Sequence, residues 1–427
     1  MVRATIVPTI KKDKFNSALI DDVDVSKKCT LCDKNAIPAV QGVANYLKAA
    51  SEHHVVLYGH QNDLHRKAGK RGLGFSRSDT FDVTGHYAAV NGIDALSIVG
   101  TEYGKWYWSL DDRIKGAVSL ADKTVRNGSI ISLSAHMPNF QFIKERGEFL
   151  KDGSINFSGY SPNDLRGTVV ADIVLGIGAK SAAHSPTELS VHELYNAYLD
   201  MICDFCHALQ KKDVGLIWRP FHENTGGWFW WGCNTCTPEQ FIALWRYTWN
   251  YMVNEKDVHN LIWAYSPGSE NKTSEQFLER YPGDDYVDLI GFDMYERFPE
   301  QKDFFFDDYR SQLALLGGIA RDHNKLFANT ETGVAHEGNK ALLETGNEDF
   351  DWYEKILSSC AQAGACYFLL WANFHAKGAY YAPFVEKRGG LFGRTRYGHE
   401  LLDNFIAMYN DERSIFSGQG GLKTLQR

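Results

Sequence analysis

Eight short runs rich in β-branched and aromatic residues recur along this chain, with helical patterns between them. They cover residues 54–60, 96–100, 129–134, 214–221, 260–265, 287–292, 325–329 and 365–371. Short apolar runs of this kind read as buried strands. The intervening stretches carry apolar residues at helical spacing. Residues 188–212 place Leu189, Leu194, Tyr198 and Ile202 on one face, and 238–255 opens on Pro238, a favoured first-turn residue. Residues 305–323 and 350–363 read likewise. A strand, a helix and a further strand in the same direction require a parallel sheet, and eight such units invite closure. The expected fold class is α/β, a (β/α)8 TIM barrel.

The chain has 427 residues. Barrels of this kind often reach about 250 residues or more, so one domain suffices if the surplus lies in loops. Two connections are long, 137–187 after the third run and 372–395 after the eighth. Both follow strand C-termini, where barrels build their sites. No Pro-, Gly- or Ser-rich linker interrupts the chain. Residues 1–35 therefore read as an N-terminal arm and 36–412 as the barrel. Residues 413–427 read as a tail, loose around Ser417-Gly418-Gln419-Gly420-Gly421.

The formal charge of −8, with Lys and Arg scattered, argues against a nucleic-acid partner. No apolar run approaches the ~20 residues of a membrane span, so no membrane partner is expected. Aromatic residues make up 13% of the chain and cluster at Trp106, Trp108 and Trp228 to Trp231, either as core or as stacking platforms. The eight cysteines include three C-x-x-C pairs, Cys29/Cys32, Cys203/Cys206 and Cys233/Cys236, with Cys360 and Cys366 besides. An even count in an oxidising compartment favours disulfides, with zinc ligation or buried thiols as the alternatives.

Two glutamates follow strand ends. Glu223 lies in Arg219-Pro220-Phe221-His222-Glu223-Asn224 after the fourth run, and Glu331 in Ala328-Asn329-Thr330-Glu331-Thr332-Gly333 after the seventh. These strands stand across a barrel mouth from each other. Side chains reaching in from them could meet at about 5–5.5 Å, the spacing of a retaining glycoside-cleaving pair. A surface salt-bridge role is the plainer reading of either residue alone. Asp293 and Glu296, after the sixth run, are rival carboxylates. Strand alternation predicts that Arg219, Phe221 and Glu223 share one face, as do Phe327, Asn329 and Glu331. Arg219 would then lie beneath the pair, its cation favouring an ionised Glu331, whose charge would favour a protonated Glu223. The plainer reading of Arg219 is a buried ion pair.

At these residues the sequence resembles glycoside hydrolase family 26, chiefly endo-β-1,4-mannanases. The stretch from Trp218 to Gly232, WRPFHENTGGWFWWG, looks like the family's acid/base signature, with His222 where related families place Asn. The resemblance implies Glu223 as acid/base and Glu331, in Thr330-Glu331-Thr332-Gly333, as nucleophile. It implies that His136, His222, Trp228, Tyr295 and Trp371 line the substrate site, that Tyr295 touches the nucleophile, and that Asp293 supports rather than reacts. Tyr58-Gly59-His60-Gln61-Asn62-Asp63 resembles the first-strand motif. One position departs: Ala372 stands after Trp371, where many members carry Arg, with Lys377 or Arg394 as candidate replacements.

The function so implied is endo-acting, retaining hydrolysis of β-1,4-mannosidic linkages in mannan, glucomannan or galactomannan, by a monomer needing no cofactor or metal. The alternatives are an exo-acting mannobiose-releasing enzyme, a β-1,3-xylanase, a mixed-linkage β-glucanase, or a glycan-binding barrel without activity. Residues 1–8 lack the apolar core of a signal peptide. A polymer too large to enter a cell is cut outside it, so the expectation is a secreted protein whose signal has been removed.

Overall fold

The computed structural model describes residues 28–69, 76–102, 109–176, 186–301, 304–336, 340–341, 346–375, 381–388, 395–398 and 400–426. Residues 1–27 of the expected arm, Trp106, Trp108, Lys377 and Arg394 lie outside the described residues.

Eight parallel strands close into a barrel: β1 Val56–Gln61, β2 Val90–Asp94, β3 Ile130–Ser134, β4 Leu216–Arg219, β5 Leu261–Tyr265, β6 Leu289–Glu296, β7 Leu326–His336 and β8 Tyr367–Leu370. Each pairs with the next, and β8 pairs with both β7 and β1, which completes the ring. The helices used below are α1 Pro38–Glu52, α2 Leu110–Arg126, α3 Val191–Gln210, α4 Pro238–Asn250, α5 Phe305–Asp322, α6 Trp352–Ala363 and α7 Leu402–Asn410. Ser190 and Thr237 cap α3 and α4 with full capping boxes, so both start where the chemistry of their first turn dictates.

Two apolar layers hold the barrel. Leu57, Val90, Ile130, Ile217, Ile262, Leu289, Leu326 and Leu369 fill its lower interior, and Val40, Val43, Ala44 and Leu47 of α1 close the bottom. A larger cluster lies between the strands and the outer helices. Each fully buried aliphatic side chain contributes about 1.5–3 kcal/mol. The upper interior is polar instead, and carries Gln61, Asp94, Ser134, Arg219, Asp293 and Glu331, all buried.

The second strand lies six residues earlier than its sequence run suggests. Val90-Asn91-Gly92-Ile93-Asp94 reads as a turn because Asn, Gly and Asp are poor strand formers. The barrel accepts it because Asn91 Nδ2 donates to Thr124 Oγ1 of α2, and because a Cβ on Gly92 would lie 1.7 Å from Gln61 Oε1. Leu96 lies within a 3-10 turn, Ala95–Ser97, capped by Asp94.

The C-terminal stretch is not a loose tail. A short strand, β9 Ser414–Ile415, pairs in parallel with β1 outside the ring. Phe416 is buried and stacks on Tyr58 at 4.6 Å between centroids, and Ser417 N donates to Tyr87 O. At the other end Cys29, Leu31 and Cys32 are buried against the barrel bottom, where Cys32 Sγ donates to Asp288 Oδ2 at 3.3 Å.

The disulfide reading is overturned: all eight cysteines are free, and all but Cys233 are buried. Cys203 and Cys206 sit three apart on α3, where Cβ atoms are about 5–6 Å apart, beyond the roughly 3.5–4.5 Å a disulfide needs. Among the described residues, the one group of three or more acids, thiols or imidazoles close enough to share a metal contains no cysteine, so the zinc reading falls too. Nor is any helix among them long and apolar enough to cross a membrane.

Candidate active site

The polar layer at the C-terminal ends of the strands is held by a central cation. Arg219, the last residue of β4, is buried and donates through Nη1 to Asp293 Oδ2 at 2.7 Å and through Nη2 to Glu331 Oε2 at 2.5 Å. Burial works against the guanidinium charge, but Asp293 and Glu331 outweigh it and raise its pKa. Thr330 Oγ1 donates to Asp293 Oδ1 at 2.8 Å, so both oxygens of Asp293 are engaged. Tyr295 Oη donates to Glu331 Oε1. The carboxylates of Glu223, Asp293 and Glu331 offer oxygens that all lie within 4.8 Å of one another. Glu296, the other rival acid, ends β6 outside this cluster.

Two backbone irregularities bring the glutamates together, and neither follows from strand alternation. On β7 the register shifts: Phe292 pairs with Asn329 but Asp293 pairs with Glu331, leaving Thr330 as the extra residue of a bulge. Asn329 therefore turns outward to Tyr309 of α5, while Glu331 turns inward to Arg219. After β4 the chain leaves extended geometry, with φ +50° at Phe221 and +53° at Glu223. Phe221 packs outward against Trp230, Trp231 and Trp245, and Glu223 N donates to Ser266 O. The expected shared faces, Arg219/Phe221/Glu223 and Phe327/Asn329/Glu331, are thus both broken, yet Arg219 does lie against Glu331.

Glu223 accepts from Trp228 Nε1 at 2.7 Å. Burial first, and then the charge of Glu331, push its carboxyl up to about 7, against the opposing pull of Trp228, Arg219 and His136. Of the aromatic block only Trp228 is exposed, at 41%, whereas Phe229, Trp230 and Trp231 are core. His136 lies just past β3, with Nδ1 2.8 Å from Asp94 Oδ2 and Nε2 3.3 Å from His222 Nε2. Burial pushes the His222 imidazole well below its ordinary value, with Arg219 and His136 adding to the effect. Trp371 follows β8, its ring 5.5 Å from that of His136, and forms a small apolar patch with Tyr295 and Tyr381.

Every site residue expected from the sequence thus belongs to one connected group. Sequence reasoning missed Asp94, Tyr160 and Tyr381. Tyr160, half exposed, stacks on His136 at 6.2 Å, and Tyr381 meets Tyr295 edge-on at 5.8 Å. Both come from the long connections, where no periodicity marks a residue. Asp94 was passed over because the second strand was expected at 96–100, beyond it, and not at Val90–Asp94. Asn373, two residues past Trp371, is buried and ties Asp79 to Tyr381 N.

A parallel eight-stranded barrel with facing carboxylates at its C-terminal mouth is an arrangement that glycoside-cleaving enzymes use. The sequence profile of glycosyl hydrolase family 26 matches residues 32–362, and the chain belongs to that family. It is 31% identical to a mannan endo-1,4-beta-mannosidase of Bifidobacterium adolescentis over 74% of this chain, and 31% identical to one of Bacillus subtilis strain 168 over 46%. The matched regions span 29% and 52% of those relatives' own lengths. Among solved structures, the catalytic domain of the Bacillus sp. JAMB-750 GH26 endo-beta-1,4-mannanase superposes with a TM-score of 0.78 at 30% identity, covering 95% of this chain and 99% of that one.

Proposed function

We propose that this chain hydrolyses internal β-1,4-mannosidic linkages with retention of configuration, using Glu223 as general acid/base and Glu331 as nucleophile. The observation that carries the reading is the pairing of two carboxyls, with oxygens within 4.8 Å, in unequal environments. One is pushed up to about 7 and the other is gripped by a guanidinium and a phenol. Oxygens this close favour a covalent route, whose carboxyl groups stand about 5–5.5 Å apart, over an inverting one, which needs roughly 6.5–9.5 Å between them.

In the first step Glu223 gives its proton to the glycosidic oxygen while Glu331 attacks the anomeric carbon. The leaving sugar departs and a glycosyl ester forms on Glu331. Glu223, now ionised, takes a proton from water, which attacks the same carbon and frees Glu331. Arg219 and Tyr295 hold Glu331 in line, and Trp228 orients Glu223 on the leaving-group side. Asp293, with both oxygens already bonded, positions Arg219. Trp371 floors the reacting ring, while His136 and His222 bound the same space. Arg219 supplies the positive charge among the three acids, so the proposed chemistry needs no metal.

The named activity of the relatives and of the matching solved structure supports mannan as substrate. A polymer of that size is cut outside the cell, and the reading includes secretion and action as a monomer. Wild type should convert mannohexaose to a mixture of shorter oligosaccharides, with β-configured product appearing first by NMR. Glu223→Ala and Glu331→Ala should each lose about 10³-fold or more in kcat/KM. Release of mannobiose alone would select the exo reading, preference for xylan or mixed-linkage glucan would replace mannan, and binding without cleavage would leave only a glycan-binding barrel.

A further inference from the structure

Asp94 ends β2 inside the barrel mouth and is 1% exposed. Its Oδ1 accepts from the backbone of Leu96 at 2.9 Å and of His136 at 3.2 Å. Its Oδ2 accepts from Ser134 Oγ at 2.7 Å and faces His136 Nδ1 at 2.8 Å. The only salt-bridge partner the described residues offer this carboxylate is that imidazole. A buried carboxylate without a cation is costly, so a charged His136 is the arrangement that balances it. The Nε2 atoms of His136 and His222 lie 3.3 Å apart, so one donates and the other accepts. When His136 is the imidazolium, its Nε2–H donates to a neutral His222, and the charged ring has a partner on each side.

We propose that Asp94 is a positioning residue that holds His136 in its charged form, and that this cation tunes the proton affinity of Glu223. The inference rests on the proposed role of Glu223 for its catalytic consequence, but not for the charge of His136. The titratable groups acting on the ring from the surrounding elements are Asp94 of β2, Glu102 in the loop after it, His222 and Glu223 after β4, Tyr160 in the long loop after β3, and Glu331 of β7. Burial opposes the cation, but Asp94 leads the groups that raise the pKa of His136 above the ordinary imidazole value. His136 packs edge-on against His222, the residue before Glu223, with ring centroids 4.6 Å apart, and from there its charge pulls Glu223 down, against burial and Glu331, which push it up. A fixed cation here keeps Glu223 from becoming too weak an acid to surrender its proton.

The test uses the full chain with labelled histidine and glutamate, in wild type, Asp94→Asn and His136→Gln. NMR follows the His136 ring and the Glu223 carboxyl against pH, and kcat/KM on mannohexaose is measured over the same range. In wild type His136 should titrate above free imidazole. In Asp94→Asn it should titrate below it, and Glu223 should move up by about half a unit or more. The basic limb of kcat/KM should move with it. His136→Gln should give the same upward movement of Glu223, and the double variant should go no further. An unchanged His136 titration in folded Asp94→Asn overturns the proposal. So does an unmoved Glu223 in His136→Gln, which decides the matter if Asp94→Asn does not fold. A wild type that cleaves no mannan would remove the proposed function, yet the two NMR titrations would still judge Asp94.

Discussion

Glu223 has the least ordinary environment of the acids at the mouth, and two measurable consequences follow. As the proposed acid it must carry a proton, and its carboxyl is pushed up to about 7 by burial and by Glu331. The expected kcat/KM therefore falls as pH rises through about 7, roughly tenfold per unit beyond it. Trp228→Phe removes a hydrogen bond that pulls the carboxyl down, so the same limb should move to higher pH. Stability runs with the same sign. A carboxyl whose folded pKa lies above its unfolded value contributes fully below about 4.5, and that contribution is lost as pH rises through about 7. Above that range the buried anion works against folding. Glu223→Gln should thus abolish activity and yet raise thermal stability at pH 8, by an amount on the order of 1–3 kcal/mol that vanishes near pH 4. Calorimetric melts of both proteins at the two pH values check it. A gain that persists at pH 4 would show that something other than the charge is responsible.

At the scale of the elements, the site depends on departures from regular strand geometry. Apolar runs and helical spacing made the barrel legible, because burial on both faces writes continuous β-branched runs into parallel strands. The glutamates were legible as acids just past the fourth and seventh apolar runs, although Glu331 lies inside β7, which continues to His336. What alternation could not supply was the direction of their side chains. That direction depends on the extra residue Thr330 in β7 and on left-handed backbone at Phe221 and Glu223, neither a glycine. Pairing partners fix a bulge, and they lie 37 and 38 positions away, so no local window announces it. Gly291 of β6 shows how tightly the bulge is held. A Cβ there would lie 2.4 Å from Thr330 Cγ2 and 2.7 Å from its Oγ1. Gly291→Ala should push Thr330 off Asp293 and cost about 1–3 kcal/mol of stability. It should also lower kcat more than it raises KM, because Arg219 and Glu331 lose their alignment while the cleft keeps its walls. Parallel melts and kinetics would separate this from general destabilisation, which would lower the melting temperature and leave kcat intact.

At the scale of the whole molecule, the C-terminal end of the described chain acts on β1, the strand that β8 must meet for the barrel to close. β9 extends the sheet from Val56 and Leu57, and Phe416 sits fully buried behind it. There Phe416 contacts Tyr58 of β1, Phe405 and Tyr409 of α7. Tyr58 in turn meets Phe368 of β8, so one aromatic cluster spans the closure seam. The backbone of Gly59 in the same strand is pressed so close to β8 that a Cβ would lie 2.8 Å from Phe368 O. Residues that resemble a Gly-rich tail in sequence are thus part of what keeps the first and last strands together. Phe416→Ala should leave a cavity at that seam and cost about 3–5 kcal/mol. Removal of residues 413–427 should cost at least as much, since it also strips the hydrogen-bonded edge of β1. The seam lies on the outer side of the barrel from Glu223 and Glu331, so whatever fraction remains folded should retain wild-type KM. Urea unfolding, with KM measured in the native baseline, checks both halves of this expectation. A truncated chain that unfolds at the wild-type urea concentration would show that β9 rests on the barrel without holding it shut.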